Sequence, residues 1–98
     1  MTNEETAPEH VRLKATVTGQ VQGVGFRYRT MAEAQRLGLS GEAVNRWDGS
    51  VFVVAEGSPE AAEALLAWLR SGRTPGRVER VEASLGDASG EFSGFEVE

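Results

Sequence analysis

The chain has 98 residues and a formal net charge of −5, with no cysteine and one histidine. This length suits a single domain with a modest core, and the composition excludes disulfides, thiolate nucleophiles, iron–sulfur clusters and cysteine-bound zinc. No apolar run approaches the roughly 20 residues of a membrane helix, and the start of the chain lacks the apolar segment of a signal peptide. We therefore expect a cytoplasmic protein that does not bind membranes, metals or other cofactors.

The charge is distributed unevenly along the chain. Residues 11–46 carry six basic and two acidic side chains, whereas residues 47–98 carry four basic and ten acidic ones. A basic first half on an acidic domain favours a small anionic ligand held at one place, since nucleic acid usually binds a basic face of a basic domain. Ordinary scatter of surface charge remains the alternative.

The first half of the chain predicts a tail, a strand and a helix. Residues 1–10 are polar and without period, which is typical of a disordered tail, so the domain is placed at residues 11–98. Residues 11–18 alternate strictly between apolar and polar side chains and predict a half-buried strand. After a glycine-rich stretch, residues 27–37 are rich in helix formers, and Gly38 ends the helix.

The second half predicts a hairpin, a helix and two strands. Strands at residues 41–47 and 50–56 flank Asp48-Gly49, which favours a tight type I′ turn. The second helix begins at Ser58-Pro59, shows leucines at helical spacing and ends before Gly72. Strands follow at residues 78–85 and at residues 92–97. Val78 is out of phase with the rest of its strand, which predicts a bulge or an early register change there.

The order of these elements predicts the fold. It is an α+β, ferredoxin-like split βαβ arrangement: βαββαβ plus a short C-terminal strand, with both helices on one face of an antiparallel sheet. The first strand is expected to lie centrally, with the strand that holds Asn45 reaching its loop end.

The stretch GQVQGVGFR, residues 19–27, is the strongest candidate for a binding site. Its three glycines allow positive φ, so successive N–H groups can turn towards one anion next to a helix start. Arg27 adds a guanidinium fork suited to phosphate oxygens, at a position where a cation meets the positive end of the helix dipole. The alternative is a glycine-rich connection with a chance arginine. Neither the Walker pattern nor GxGxxG fits.

Asn45 is the second candidate, because asparagine is depleted in strands and the hydrophobic pattern places it inside one. A carboxamide offers an acceptor and two donors without charge, so it can orient a water molecule towards an electrophile. A polar edge position or an early turn residue is the alternative explanation.

Together, GQVQGVGFR and GEAVNRWDGSV resemble the two signatures of the acylphosphatase family, GxVQGVxFR and GxVxNxxDGxV. The first motif matches at every signature position, and the second differs only at Ala43, where valine is usual. The resemblance extends over nearly all of residues 11–97.

The resemblance implies metal-independent hydrolysis of the carboxyl–phosphate bond of acyl phosphates, to a carboxylate and inorganic phosphate. Arg27 would clamp the phosphoryl oxygens and Asn45 would orient the attacking water. The phosphate cradle would be made by the backbone N–H groups of Gln22, Gly23, Val24, Gly25, Phe26 and Arg27. A monomer acting on a small-molecule acyl phosphate is expected, with no cofactor and no nucleic acid.

Two other functions remain open at this stage. One is a phosphate- or carbamoyl-phosphate-binding module that keeps the loop but does not catalyse, since related domains occur within larger maturation proteins. The other is a ferredoxin-like RNA binder, which would need exposed aromatic side chains on the sheet and a basic domain.

Overall fold

The computed structural model describes residues 9–98, so most of the predicted tail, residues 1–8, lies outside the described residues. The predicted elements are all found in the predicted order, and their ends differ from the predicted ends by at most three residues. They are β1 Val11–Gln20, α1 Phe26–Arg36, β2 Ser40–Asn45, β3 Val51–Gly57, α2 Pro59–Leu69, β4 Arg77–Asp87 and β5 Phe95–Val97.

The five strands form one sheet in the order β4-β1-β3-β2-β5. The neighbours β4-β1, β1-β3 and β3-β2 are antiparallel, as predicted, whereas the short C-terminal strand β5 is parallel to β2 and makes the sheet mixed. Residues 88–94 connect β4, at one edge of the sheet, to β5, at the other edge. They cross at the end of the sheet where β4 stops. Because β2 also starts at that end, β5 must run in the same direction as β2.

Both helices pack on one face of the sheet, as predicted. Helix α1 lies over β2 and β5, and α2 lies over β1 and β3. Alternate strand residues enter this layer, including Leu13, Val17 and Val53, each 0% exposed. The rings of Phe26 and Trp68 lie 6.4 Å apart between their centroids and join the two helices. The core therefore holds the start of α1 firmly against the sheet.

A bulge lies where β1 pairs with β4, as predicted from the phase of Val78. Thr18 pairs with Arg80 and Gly19 pairs with Val78, so one residue of β4 is left over. A Cβ on Gly19, which has φ 129, would lie 2.1 Å from the carbonyl oxygen of Arg77. Glycine is therefore required at this close approach of the two strands.

The β2–β3 hairpin differs from its predicted form. A type I′ turn needs positive φ at two residues, but only Gly49, with φ 94, adopts it here, and no non-glycine residue among residues 9–98 does so. Instead, the N–H of Gly49 donates to the Arg46 carbonyl at 3.1 Å, and the N–H of Arg46 donates to the Ser50 carbonyl at 2.9 Å. The loop thus has three residues and needs only one left-handed position, and β2 ends at Asn45.

The connection at residues 88–94 is fixed to the far end of the sheet by a buried carboxylate. Glu56, 4% exposed, accepts hydrogen bonds from Arg12 Nε at 2.6 Å, from the N–H and hydroxyl of Ser89 at 2.9 and 3.0 Å, and from the N–H of Gly90 at 3.0 Å. Burial by itself raises the pKa of Glu56, but these hydrogen bonds outweigh it and lower the pKa to about 2.

We expect the free energy of unfolding to fall as the pH drops from 4.5, the ordinary pKa of glutamate, towards about 2. A carboxylate with a lowered pKa in the folded state stabilises the protein above its ordinary pKa, and protonation removes that stabilisation. The contribution of Glu56 is about 3 kcal/mol. The urea midpoint of unfolding, measured between neutral pH and the acid limit, checks this. Glu56→Gln should lose this dependence and Glu63→Gln, at an exposed position, should keep it; parallel curves for Glu56→Gln and the parent would contradict the assignment.

Candidate active site

The glycine loop joins the end of β1 to the start of α1. Gly23 and Gly25 both have positive φ, at 77° and 85°, and Gly25 is the N-cap of α1. No side chain caps the helix, its first turn carries no acid, and within residues 9–98 the N–H groups of residues 22–25 have no hydrogen-bond acceptor. The loop therefore offers free N–H groups directly before the positive end of a helix dipole, which suits an anion.

Arg27 lies in the first turn of α1 and is half-buried. Its guanidinium carbon is 5.7 Å from the centre of the Tyr28 ring, and no carboxylate among residues 9–98 pairs with it. A cation that neighbours the positive end of a helix without a counterion is available to a bound anion.

Asn45 is the last residue of β2, not an interior residue as the sequence pattern predicted. It pairs with Val51, which in turn pairs with Val17, so β3 lies between the strand of Asn45 and β1. β1 lies inside the sheet, as predicted, one strand away from the strand of Asn45. Paired residues share a face of the sheet, and Val51 and Val17 are both on the helix-covered face, so Asn45 faces the helix layer too.

Strand direction brings Asn45 and the glycine loop to the same end of the molecule. Both β1 and β2 are antiparallel to β3, so they run the same way and finish at the same end of the sheet. Helix α1 starts at that end and packs over β2. Asn45 Oδ1 is buried there without a hydrogen-bond partner among residues 9–98. A buried acceptor without a donor is costly, and a bound water or substrate would satisfy it.

Gln22 contributes a side-chain contact that the sequence did not predict. Its Nε2 donates to the carbonyl oxygens of Arg46 at 2.7 Å and of Ser50 at 3.0 Å. The sequence had assigned Gln22 only a backbone role in the loop. The only sequence signal for this contact is a polar glutamine in a glycine-rich loop. That signal does not identify its partners, which lie 24 and 28 residues away.

The hairpin beside Asn45 is held in shape by Asp48. Its Oδ1 accepts the hydroxyl of Ser50 at 2.6 Å and the N–H of Ser50 at 2.9 Å, and the bond from the hydroxyl is the larger cause of its lowered pKa. Both bonds favour the ionised carboxylate and engage Asp48 as a turn residue.

Gly76 supports the other side of the glycine loop. It has φ 75, and a Cβ there would lie 2.1 Å from the carbonyl oxygen of Gln20 and 2.8 Å from Val24 Cγ2. The chain after α2 therefore packs directly against the end of β1 and against the loop, which leaves no room for a side chain at this position.

Two aromatic residues near the site are exposed. Tyr28 is 57% exposed and Trp47 is 98% exposed, whereas Trp68 is buried in the core. The loop end of the molecule carries two aromatic side chains open to solvent.

No group of three or more histidine, cysteine or carboxylate side chains within residues 9–98 is arranged to hold a metal ion. None of the helices in this part of the chain has the length and apolarity to cross a membrane. A surface cavity of about 280 Å³ is lined by Arg12, Ser84 and Ser89 among others, at the opposite end of β1 from the glycine loop. The candidate site at the glycine loop is separate from this cavity.

The fold and the loop together define a ferredoxin-like α+β domain with a glycine-rich anion loop after its first strand. The Acylphosphatase family model matches residues 13–97. The acylphosphatase of Thermobifida fusca (strain YX) is 57% identical over 88 residues, which cover 90% of this chain and 97% of the relative. The acylphosphatase of Paenarthrobacter aurescens (strain TC1) is 51% identical over 91% of this chain and 95% of the relative.

Solved structures agree with this assignment. The acylphosphatase from Bacillus subtilis has a TM-score of 0.83 and 30% identity, covering 90% of this chain and 98% of that one. The HypF protein of T. kodakarensis has a TM-score of 0.75 and 30% identity, but this chain covers only 11% of it. The chain belongs to the acylphosphatase family, and its enzyme class is acylphosphatase, a hydrolase.

Proposed function

We propose that this protein hydrolyses acyl phosphates to a carboxylate and inorganic phosphate without a metal ion, using Arg27 and Asn45 as its catalytic residues. The observation that carries the proposal is the buried Oδ1 of Asn45, which has no hydrogen-bond partner among residues 9–98 and lies at the end of the sheet where the glycine loop and Arg27 lie. A free acceptor at the same end of the molecule as a set of free donors suits a water-mediated attack on a bound phosphate.

The phosphate is held by the loop. Backbone N–H groups of residues 22–27 donate to the phosphoryl oxygens, and the Arg27 guanidinium clamps two of them with its fork. These donors are fixed before the substrate arrives, because glycine conformations and the core under Phe26 hold the loop and the helix start in place. Preorganised donors stabilise the charge of the transition state without reorganisation.

The attacking water is oriented by Asn45. Its Oδ1 accepts one hydrogen of the water, whose oxygen forms a bond to phosphorus as the bond between phosphorus and the carboxylate oxygen breaks. The carboxylate leaves with the electron pair, and a phosphate oxygen takes the water's second proton. No protein base is required, since an acyl phosphate has a good leaving group and positioning supplies much of the barrier reduction.

Hydrolysis of benzoyl phosphate with and without a chelator tests the proposal. We expect equal rates in the two conditions, release of one phosphate per benzoate, and competitive inhibition by inorganic phosphate. Tight binding of phosphate with no turnover would instead show the non-catalytic binding module. Loss of turnover on chelation would overturn metal independence alone.

We also propose that the protein acts as a monomer on a small-molecule substrate, because the loop, Arg27 and Asn45 all come from one chain. The cytoplasmic location stays a prediction from the sequence.

A further inference from the structure

The side chain of Gln22 bridges the glycine loop and the β2–β3 hairpin. Its Nε2 donates to the carbonyl oxygens of Arg46 and Ser50, at 2.7 and 3.0 Å. Both carbonyls already accept a backbone N–H within the hairpin, from Gly49 and from Arg46. Gln22 therefore uses the remaining acceptor capacity of two oxygens that close the turn, and both of its N–H donors are satisfied.

The two carbonyl groups that Gln22 contacts lie next to Asn45 in the hairpin. Arg46 and Ser50 directly flank the paired residues Asn45 and Val51. No other hydrogen bond joins loop residues 21–25 to hairpin residues 46–50 in the part of the chain that the structure describes. Through the sheet, Asn45 reaches the loop only by way of β3 and β1, so this pair of bonds is the direct connection between them.

We propose that Gln22 is a positioning residue, whose side chain fixes the distance between the phosphate loop and Asn45. The inference rests on the proposed function, since it assigns Gln22 an effect on the reaction that is exerted through Asn45. In-line attack requires the water to be held close to the phosphorus, and a misplacement of about 1 Å can cost about 100-fold in rate. Phosphate binding does not depend on the contact between Gln22 and the hairpin, because the groups that donate to the phosphate all lie in residues 22–27.

Gln22→Met tests the proposal, because methionine keeps the length of the side chain and removes both donors. We expect kcat for benzoyl phosphate to fall by about 10- to 100-fold, while the inhibition constant for inorganic phosphate changes by less than about 3-fold. Gln22→Glu should lose kcat in the same way, since a carboxylate cannot donate to two carbonyls. Gln35→Met is the matched control and should retain the parent kcat, because Gln35 is exposed on α1 and its side chain makes no hydrogen bond within residues 9–98.

A double-mutant cycle separates positioning from a general loss of structure. In the Asn45→Ala background, Gln22→Met should lower kcat by less than about 2-fold, because the group it positions is already gone. A full additional loss in that background would overturn the proposal. So would a parent-like kcat for Gln22→Met. Neither result bears on the proposed function, which the single variants Arg27→Ala and Asn45→Ala test independently.

Discussion

Replacing Arg27 with alanine is expected to remove almost all turnover of acyl phosphates. The guanidinium is half-buried and has no carboxylate partner among residues 9–98, so its charge is available to the phosphoryl group. Arginines that stabilise a transferring phosphoryl group contribute about 1,000-fold or more to rate. We expect kcat/KM for benzoyl phosphate to fall by at least about that factor, and the affinity for inorganic phosphate to fall with it.

Arg27→Lys and Arg29→Ala are the controls for this prediction. Lysine keeps the charge but lacks the planar fork, so Arg27→Lys should recover little activity. Arg29 is exposed and forms no ion pair within the described residues, so Arg29→Ala should behave like the parent. Removing a cation from a helix N-terminus does not destabilise the helix, so Arg27→Ala should fold normally by circular dichroism. Parent-like turnover by folded Arg27→Ala would refute the phosphate-clamp role.

Replacing Asn45 with alanine is expected to lower kcat by about 100-fold or more while leaving phosphate affinity nearly unchanged. The variant removes the acceptor that orients the water but none of the donors of the loop. Because Oδ1 has no partner in residues 9–98, its loss leaves no protein group newly unsatisfied, and the free energy of unfolding should not decrease. Steady-state kinetics and the inhibition constant for phosphate measure the two effects separately.

Asn45→Asp provides the contrast. A carboxylate keeps an acceptor at the same place but adds a negative charge opposite the bound phosphate, so we expect both kcat and phosphate affinity to fall. If Asn45→Ala instead weakened phosphate affinity as much as it lowered kcat, Asn45 would be a binding residue and the water-orienting role would be wrong.

Much of the fold could be predicted because its signals are local. The alternation from Val11 onward indicated β1, Ser58-Pro59 indicated the start of α2, and the phase of Val78 indicated the bulge. Each depends on residues within a few positions of one another, so periodicity and turn chemistry suffice. Two features were not fixed by these local signals. The direction of β5 follows from the path of residues 88–94 across the sheet, and the turn type at Asp48-Gly49 follows from backbone hydrogen bonds among Arg46, Gly49 and Ser50.

The sequence by itself determined the order of the elements and the positive φ of the loop glycines, and it identified Arg27 and Asn45 as candidate site residues. These features depend on residue type and spacing along the chain. The tertiary structure alone decided that β3 separates β1 from β2, that β5 runs parallel to β2, and that Gln22 reaches the hairpin beside Asn45. The contacts of β1 with β3, of β2 with β5 and of Gln22 with the hairpin join residues 24 or more positions apart. Their geometry depends on strand order and direction, which are fixed only when the whole sheet packs against its helices.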